Sequence, residues 1–245
     1  MKIIGHRGWR GNYPENTIIG IKKAIELGVN GIEIDLVVNA EMQLVLSHEP
    51  WMHPDICEPG GQEFNLFQMD QNEIMRYDCG LKKNRLEHQL KIKSTKPLFE
   101  EVRRSLNWNG VELLLEIKSH PKGDGLFHPH PTKYAEIVAQ ELESFTEPSS
   151  IFIMSFDLRI LSEIQKLNPK LKVVLVTEKE TLLPDLKLDA IAPNHQIINE
   201  RNINEWKDKG LQIFCWTVNE LKDIRKCSNL NVDAIISDYP NRLFG

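Results

Sequence analysis

Eight short apolar runs, most of them followed by a stretch with helical spacing, constrain the fold of this chain more than any other feature. The runs are predicted strands and lie at residues 2–5, 31–38, 111–117, 150–155, 172–177, 189–192, 211–216 and 232–236. The stretches predicted as helices are 17–27, 132–145, 157–167, 200–209 and 219–227. Strands that alternate with helices in this way predict an α/β protein with a closed (β/α)8 barrel, the TIM barrel.

An open, doubly wound α/β sheet is the alternative architecture for the same alternation. No GxGxxG sequence follows the first predicted strand, although this dinucleotide-binding turn is common in doubly wound sheets. The barrel is therefore the favoured prediction, formed by a single domain over residues 1–245. Residues 42–46 are predicted to add a short strand that pairs back on residues 33–38.

A long segment interrupts the alternation after the second predicted strand. Residues 49–96 begin with a cluster of prolines and glycines at 50–61 and continue with a short predicted helix near 70–78. Connections of this length are uncommon within a βα unit unless they are functional. We interpret the segment as a small insertion that covers the C-terminal end of the barrel as a lid.

The overall composition is that of a globular domain, with 245 residues of which 41% are hydrophobic and 27% are charged. The net charge is −5 and no run of lysine and arginine stands out, which argues against nucleic acid as the main partner. No apolar stretch approaches the roughly 20 residues that a membrane-spanning helix needs. The sequence therefore predicts neither a nucleic-acid-binding protein nor an integral membrane protein.

The four cysteines, Cys57, Cys79, Cys215 and Cys227, include no CxxC pair, so a zinc knuckle or a thioredoxin-type motif is not predicted. Cys215 lies in an apolar run and is predicted to be a buried free thiol. This pattern favours a reducing compartment. Because no signal peptide precedes the first strand, we expect a cytoplasmic protein, or a periplasmic one if a leader was removed.

Two carboxylates stand side by side near the end of the second predicted strand. Side chains alternate between the two faces of a strand, so Glu33 and Asp35 point the same way and the apolar residues between them point the other way. A carboxylate pair fits poorly in an apolar core and is a good ligand set for a hard divalent cation. The spacing therefore predicts a metal site at the end of this strand.

Charged side chains with complementary chemistry follow the neighbouring strands. Glu116 and Lys118 end the third strand with the same spacing, and His6 and Arg7 follow the first strand. His6 and a second histidine, His48, can give and take protons near neutral pH, and an arginine offers a fork that fits a phosphate. A structural salt-bridge cluster would have a similar pattern, but buried charges without a ligand are costly. Together these residues predict phosphate-ester chemistry at the C-terminal end of the barrel.

Several other polar or aromatic residues are weaker candidates for the site. Trp216 ends the seventh strand and is interpreted either as a wall of the substrate pocket or as a core residue. Asp238 is interpreted as a structural partner rather than a metal ligand. Glu15 is interpreted as an acidic residue in the first turn of a helix, with a side chain that reaches the site as the alternative. His128 and His130 have the HxH spacing of some metal sites, but the prolines between them favour a solvent-facing loop.

These motifs resemble those of the glycerophosphodiester phosphodiesterase family. The resemblance rests on His6-Arg7, Pro14-Glu15-Asn16-Thr17, Glu33-x-Asp35, His48, Glu116-Ile117-Lys118, Trp216-Thr217-Val218-Asn219 and Ser237-Asp238-Tyr239-Pro240. It covers essentially the whole chain and implies a TIM barrel with a small insertion after the second strand. The implied reaction is hydrolysis of a small-molecule glycerophosphodiester to sn-glycerol 3-phosphate and an alcohol such as choline or ethanolamine.

The resemblance also implies roles for individual residues. One divalent cation, calcium or magnesium, would be bound by Glu33, Asp35 and Glu116, and His6 and His48 would act as general acid and base. The residues expected to hold the phosphate are Arg7 and Lys118.

Two departures from the family's pattern bear on substrate preference. Glu49 stands where an aspartate usually follows the second histidine, and the proline- and histidine-rich loop at 120–131 is atypical. One alternative function is that of a phospholipase C- or D-like phosphodiesterase acting on phospholipid or phosphoinositide head groups. A catalytically silent binding barrel is the other alternative, and the presence of every expected catalytic residue argues against it.

Overall fold

The computed structural model describes residues 1–243 except 61, 62, 83–85, 87, 144 and 146–149. Parts of the predicted insertion and Ser144 of the helix predicted over 132–145 therefore lie outside the described residues. The strands are β1 (Lys2–His6), β2 (Gly31–Val38), β3 (Leu44–Leu46), β4 (Trp51–Met52), β5 (Phe64–Asn65), β6 (Glu112–Ile117), β7 (Ser150–Ser155), β8 (Lys172–Thr177), β9 (Ala190–Pro193), β10 (Gln212–Cys215) and β11 (Ala234–Ser237).

Eight of these strands form a closed parallel barrel in the order β1, β2, β6, β7, β8, β9, β10 and β11. The barrel closes because β1 pairs with a strand on each side: Ile3 lies opposite Ile235 of β11, and Gly5 lies opposite Ile32 of β2. The predicted TIM barrel is thus confirmed, with each strand within two residues of its predicted bounds, and the open-sheet alternative is wrong. The predicted extra strand is β3, which pairs antiparallel with β2.

The helices surround the barrel on its outside, except for the short helix Gln71–Ile74, which belongs to the inserted segment. They are α1 (Ile18–Leu27), α2 (Gln71–Ile74), α3 (Phe99–Ser105), α4 (Pro131–Leu142), α5 (Leu158–Leu167), α6 (Glu200–Asp208) and α7 (Leu221–Asn229). The helix predicted near 70–78 ends early, because Asp78 exchanges two backbone hydrogen bonds with Glu58 and so continues as an extended chain. Helix α3 was not predicted, and the described residues 178–189 between β8 and β9 form no helix.

The alternation of side chains along the strands produces two apolar layers. Ile32 and Ile34 of β2 are fully buried against the outer helices, as the period of two predicts. Inside the barrel, residues of the opposite parity form a second cluster, in which the Phe152 and Phe214 rings meet edge to face at 5.1 Å. Charged residues whose side chains also point into the barrel therefore lie above this inner apolar cluster, at the C-terminal end of the barrel.

The segment after β3 forms a small unit with its own apolar core. Strands β4 and β5 pair antiparallel, with Met52 opposite Phe64, and this unit packs on Val37 and Val45 of the barrel. No described helix has the length and apolarity needed to cross a lipid bilayer. That this unit acts as a lid stays a prediction.

The cysteines behave in two ways. Cys57 and Cys79 form a disulfide within the small unit, a pairing that the sequence analysis did not predict. Cys215 is a buried free thiol, as predicted, and so is Cys227. The compartment in which the protein works stays a prediction.

Candidate active site

The C-terminal ends of β1, β2 and β6 bring the predicted site residues together. Strand register places His6 beside Glu33 across β1 and β2, and Asp35 beside Glu116 across β2 and β6. Lys118 follows β6 directly. This is the end of a TIM barrel at which active sites are found.

The turn after β1 has a backbone conformation that depends on glycine. Arg7 has a φ of 50° and Gly8 a φ of 84°, both in the left-handed region. A Cβ on Gly5 would lie 2.5 Å from the carbonyl oxygen of Gly8, so the turn can close only over a glycine. The backbone N–H of Arg7 then donates to Glu33 Oε2 at 3.0 Å. Left-handed conformations of residues other than glycine are costly and cluster at functional sites.

Three carboxylates converge at the mouth of the barrel. Glu33, Asp35 and Glu116 each offer an oxygen, and these atoms all lie within 4.8 Å of one another. Glu33 and Asp35 are only 2% and 1% exposed, and Glu33 Oε1 has no hydrogen-bond donor among the described residues. Burial, together with the negative charges of Asp35 and Glu116, raises the pKa of Glu33 well above its usual range. This set of oxygen ligands fits a hard divalent cation.

Two cationic side chains contact the same carboxylates. Lys118 Nζ lies 2.7 Å from Asp35 Oδ1 and 2.5 Å from Glu116 Oε1, and Arg7 Nε lies 3.0 Å from Asp35 Oδ2. Burial acts to raise the pKa of Asp35, but Lys118 and Arg7 outweigh it and hold that pKa well below its usual range. The structure thus places both predicted phosphate-binding residues directly beside the predicted metal ligands.

Glu15 does not lie in the first turn of a helix, so this prediction is wrong. Helix α1 begins at Ile18, and Glu15 precedes it and reaches the site. Its Oε1 lies 2.9 Å from Arg7 Nη1, and its Oε2 lies 2.7 Å from Nε of Arg10. Burial acts to raise the pKa of Glu15, but Arg7 and Arg10 lower it below its usual range. The ion pairs hold the Arg7 guanidinium in place from the side opposite Asp35.

Thr17 caps the N-terminus of helix α1, and its neighbour Asn16 belongs to the site. Thr17 Oγ1 accepts a hydrogen bond from the backbone N–H of Gly20 at 3.2 Å. Asn16 instead turns inward, and its Nδ2 donates to Asp35 Oδ2 at 2.8 Å. Its Oδ1 accepts the backbone N–H of Asp35 at 3.2 Å. Asn16 is thus a site residue that sequence reasoning missed.

His6 is oriented by a carboxylate from the far end of the chain. His6 Nδ1 lies 2.7 Å from Asp238 Oδ1, and Asp238 is itself held by Asn219 Nδ2 at 2.8 Å. Burial lowers the pKa of His6, although Asp238 acts to raise it. Because the Asp238 carboxylate accepts a hydrogen bond, the proton of the His6 ring is assigned to Nδ1. The lone pair is then on Nε2, which lies 3.8 Å from Glu33 Oε2. Asp238 is thus a partner of a site residue, consistent with the expectation that it is not a metal ligand.

His48 lies on the turn after β3 and is partly open to solvent. Its side chain is 36% exposed, and Nδ1 lies 3.2 Å from Glu49 Oε1. A buried lysine from the end of the insertion, Lys96, supports this turn by donating to Ser47 Oγ at 2.7 Å. Burial lowers the pKa of Lys96 below its usual range. No local pattern distinguishes Lys96 in the sequence, because it is one of several lysines in a polar stretch.

Trp216 and the histidine loop complete the list of predicted candidates. The Trp216 indole N–H donates to the Ala192 carbonyl at 2.7 Å, and its ring meets Phe156 edge to face at 5.7 Å. His130 is exposed as predicted, whereas His128 is buried and accepts the His120 backbone N–H at 3.1 Å. Within the part of the chain that the structure describes, the carboxylate cluster is the one group with metal-site spacing.

Comparison with known proteins decides the family. A sequence profile of the Glycerophosphoryl diester phosphodiesterase family matches residues 6–242. The chain belongs to this family. It is 26% identical over 247 residues to the Glycerophosphodiester phosphodiesterase of Caldanaerobacter subterraneus subsp. tengcongensis, covering 98% of this chain and 95% of that protein. It is 27% identical over 256 residues to that of Bacillus altitudinis, covering 98% and 96%.

Solved structures support the same family fold. A crystal structure from Silicibacter pomeroyi matches with a TM-score of 0.89 at 25% identity, covering 99% of this chain and 91% of that one. An Oleispira antarctica phosphodiesterase, solved in complex with the product sn-glycerol-3-phosphate, matches with a TM-score of 0.83 at 19% identity, covering 100% and 95%. Family membership confirms the sequence-based prediction of an enzyme, a glycerophosphodiester phosphodiesterase built on a TIM barrel.

Proposed function

We propose that this protein hydrolyses a glycerophosphodiester to sn-glycerol 3-phosphate and an alcohol, using a divalent cation and general acid–base catalysis by His6 and His48. The observation that carries the proposal is the cluster of three carboxylates beside His6, within a family of glycerophosphoryl diester phosphodiesterases. The product bound to the Oleispira antarctica phosphodiesterase supports the choice of products. Cleavage thus leaves the phosphate on the glycerol.

The carboxylates are proposed to hold one calcium or magnesium ion. The buried Glu33 Oε1 without a donor, next to the oxygens of Asp35 and Glu116, supports this assignment. Such an ion, when bound, neutralises negative charge that develops on phosphoryl oxygens and lowers the pKa of a nearby hydroxyl or water. Asn16 would keep the Asp35 carboxylate oriented through its two hydrogen bonds.

Arg7 and Lys118 are proposed to bind the phosphate. Both are cationic, and both already lie beside the carboxylates, within 3.0 Å of Asp35. Glu15 fixes the Arg7 guanidinium from the other side, so its planar fork keeps one orientation. The positive charges of Arg7 and Lys118 therefore face the position at which the phosphoryl group would meet the carboxylate cluster.

The two histidines are proposed to move the protons. One takes a proton from the attacking hydroxyl or water, and the other gives a proton to the oxygen of the departing alcohol. Asp238 holds His6 with Nε2 toward the site, and Glu49 contacts Nδ1 of His48. Trp216, with Phe156 against its ring, is proposed to wall the substrate pocket.

A substrate panel tests this function. Soluble glycerophosphodiesters with different alcohols are compared with vesicles of intact phospholipid and phosphoinositide, in the presence of Ca²⁺ or Mg²⁺. We expect turnover of the soluble diesters with release of sn-glycerol 3-phosphate. Preferential cleavage of vesicle lipids would favour the phospholipase-like alternative, and no turnover of any substrate would favour a silent binding barrel.

Asp238→Asn is expected to lower kcat by about 10–100-fold with little change in metal affinity. The amide carries no negative charge, and its NH2 group can donate to an unprotonated Nδ1, so His6 loses the acceptor-only partner that fixes its tautomer. Steady-state kinetics together with calorimetric titration of Ca²⁺ measure the two effects separately. Asp208→Asn, the same change at the exposed end of α6, is the matched control. Wild-type kcat in Asp238→Asn would contradict a positioning role.

A further inference from the structure

A cavity of about 330 Å³ opens beside His48 and Lys118. Trp51 of β4, from the insertion, and Phe127, from the loop after β6, both line this cavity. The Trp51 and Phe127 rings meet edge to face with their centroids 5.9 Å apart. The insertion and the loop therefore contact each other and form one continuous aromatic wall of the cavity.

A side-chain hydrogen bond strengthens this contact. Asn65 Nδ2 of β5 donates to the carbonyl oxygen of Leu126 at 2.7 Å, one residue before Phe127. The loop is fixed at its base, because Asp124 forms two hydrogen bonds with the Arg159 guanidinium. The cavity thus has defined walls and a size typical of small-ligand sites.

The location of the cavity indicates that it would hold one of the two ester groups, or arms, of the substrate. The proposed function places the phosphoryl group at Arg7 and Lys118 and a proton-transfer group at His48. Lys118 and His48 also line the cavity, so a diester bound at the phosphate site would extend one ester arm into it. The arm beyond His48, against the Trp51 and Phe127 rings, is where a departing alcohol would lie.

The charged residues that line the cavity are lysines. Its lining includes two lysines, Lys118 and Lys122, and no aspartate or glutamate. Lys118 is neutralised by Asp35 and Glu116, whereas Lys122 forms no ion pair with any described residue. An ammonium group at the rim repels a cationic alcohol, since like charges brought together cost free energy.

We propose that this cavity binds the departing alcohol and that Lys122 makes the enzyme prefer an uncharged polyol to a cationic alcohol. This inference rests on the proposed function and refines its substrate class. The preferred substrates are diesters such as glycerophosphoglycerol, in place of the choline or ethanolamine diesters that the family resemblance suggested. Trp51 and Phe127 provide an apolar wall against which the carbon atoms of the alcohol pack.

The test compares kcat/KM for glycerophosphoglycerol and glycerophosphocholine in wild type, Lys122→Glu and Lys122→Met. We expect wild type to favour glycerophosphoglycerol, and Lys122→Glu to shift the ratio about tenfold toward glycerophosphocholine, with a smaller shift in Lys122→Met. Lys170→Glu changes the net charge equally on the exposed turn after α5 and should leave the ratio unchanged. Trp51→Ala should raise KM for glycerophosphoglycerol more than it lowers kcat.

The possible failures are distinguishable. A wild-type preference for glycerophosphocholine, or a ratio that moves less than about twofold in both Lys122 variants, overturns this inference and leaves the phosphodiesterase activity standing. An equal shift in Lys170→Glu overturns it as well, because the effect would then be one of net charge. If wild type hydrolyses neither diester with Ca²⁺ or Mg²⁺, both the inference and the proposed function are wrong.

Discussion

His6→Ala and His48→Ala are each expected to lower kcat by about 10²–10⁴-fold on a glycerophosphodiester while metal binding is retained. Each substitution removes a group proposed to move a proton, and neither histidine belongs to the carboxylate cluster. The double variant should lose less than the product of the two single losses, because the residues act as a unit. Stopped-time assays of product release, with calorimetric titration of Ca²⁺, measure both properties.

An activated substrate separates the two roles. A good aryl leaving group needs little protonation, so the variant lacking the general acid should recover much of its rate on an aryl diester. The variant lacking the general base should not recover. His130→Ala, which removes a histidine whose side chain is 76% exposed, is the matched control and should retain wild-type turnover. Near-wild-type kcat in His6→Ala or His48→Ala, or loss of metal from both, would contradict the acid–base assignment.

Loss of any one carboxylate of the cluster is expected to have the second large effect on activity. Glu33→Gln, Asp35→Asn and Glu116→Gln should each lower kcat/KM by at least about 10³-fold, as should excess chelator, because the cation stabilises transition-state charge by several kcal/mol. Metal content by mass spectrometry should fall together with activity. Glu112→Gln is the control, since Glu112 lies at the opposite end of the same strand, β6, and pairs with Lys2.

Stability measurements distinguish this loss from misfolding. Glu33 is buried among like charges, so Glu33→Gln removes a repulsion that the metal-free protein otherwise bears. In metal-free buffer we therefore expect Glu33→Gln to unfold at a temperature no lower than wild type. Added Ca²⁺ should raise the Tm of wild type and not that of the variant. Full activity in excess chelator, with metal verified as absent, would contradict a metal-dependent mechanism.

Local patterns predicted the barrel and the centre of its site. The period of two along β2 and β6 placed Glu33, Asp35 and Glu116 on the inward face, and that placement follows from strand geometry alone. Barrel topology then determined which ends of the strands would meet. Residues whose role depends on the strand that carries them were therefore predictable from sequence.

Residues whose role depends on distant partners were not predictable in the same way. Asp238 contacts His6 across 232 positions of sequence, and Lys96 supports the turn of His48 from the far end of the insertion. Glu15 was misassigned because an acidic residue before a helix has the same local pattern whether it caps the helix or turns inward. His128 is buried by its own loop, where proline content indicated only irregular backbone.

The same limit on prediction from sequence applies to the insertion. Its length and its prolines indicated a separate unit, but the Cys57–Cys79 disulfide and the contact of Trp51 with Phe127 depend on how two irregular segments pack. Neither segment has a strong period of two or of 3.6 residues. The disulfide and the aromatic contact thus lie where sequence patterns carry the least information.

A phosphorus NMR time course of a glycerophosphodiester with the purified protein tests the central claim most directly. With Ca²⁺ or Mg²⁺, the diester signal should be replaced by the signal of sn-glycerol 3-phosphate, and excess chelator should stop the conversion. Formation of glycerol and a phosphorylated alcohol instead, undiminished turnover in chelator, or no turnover with any divalent cation would contradict the proposed function.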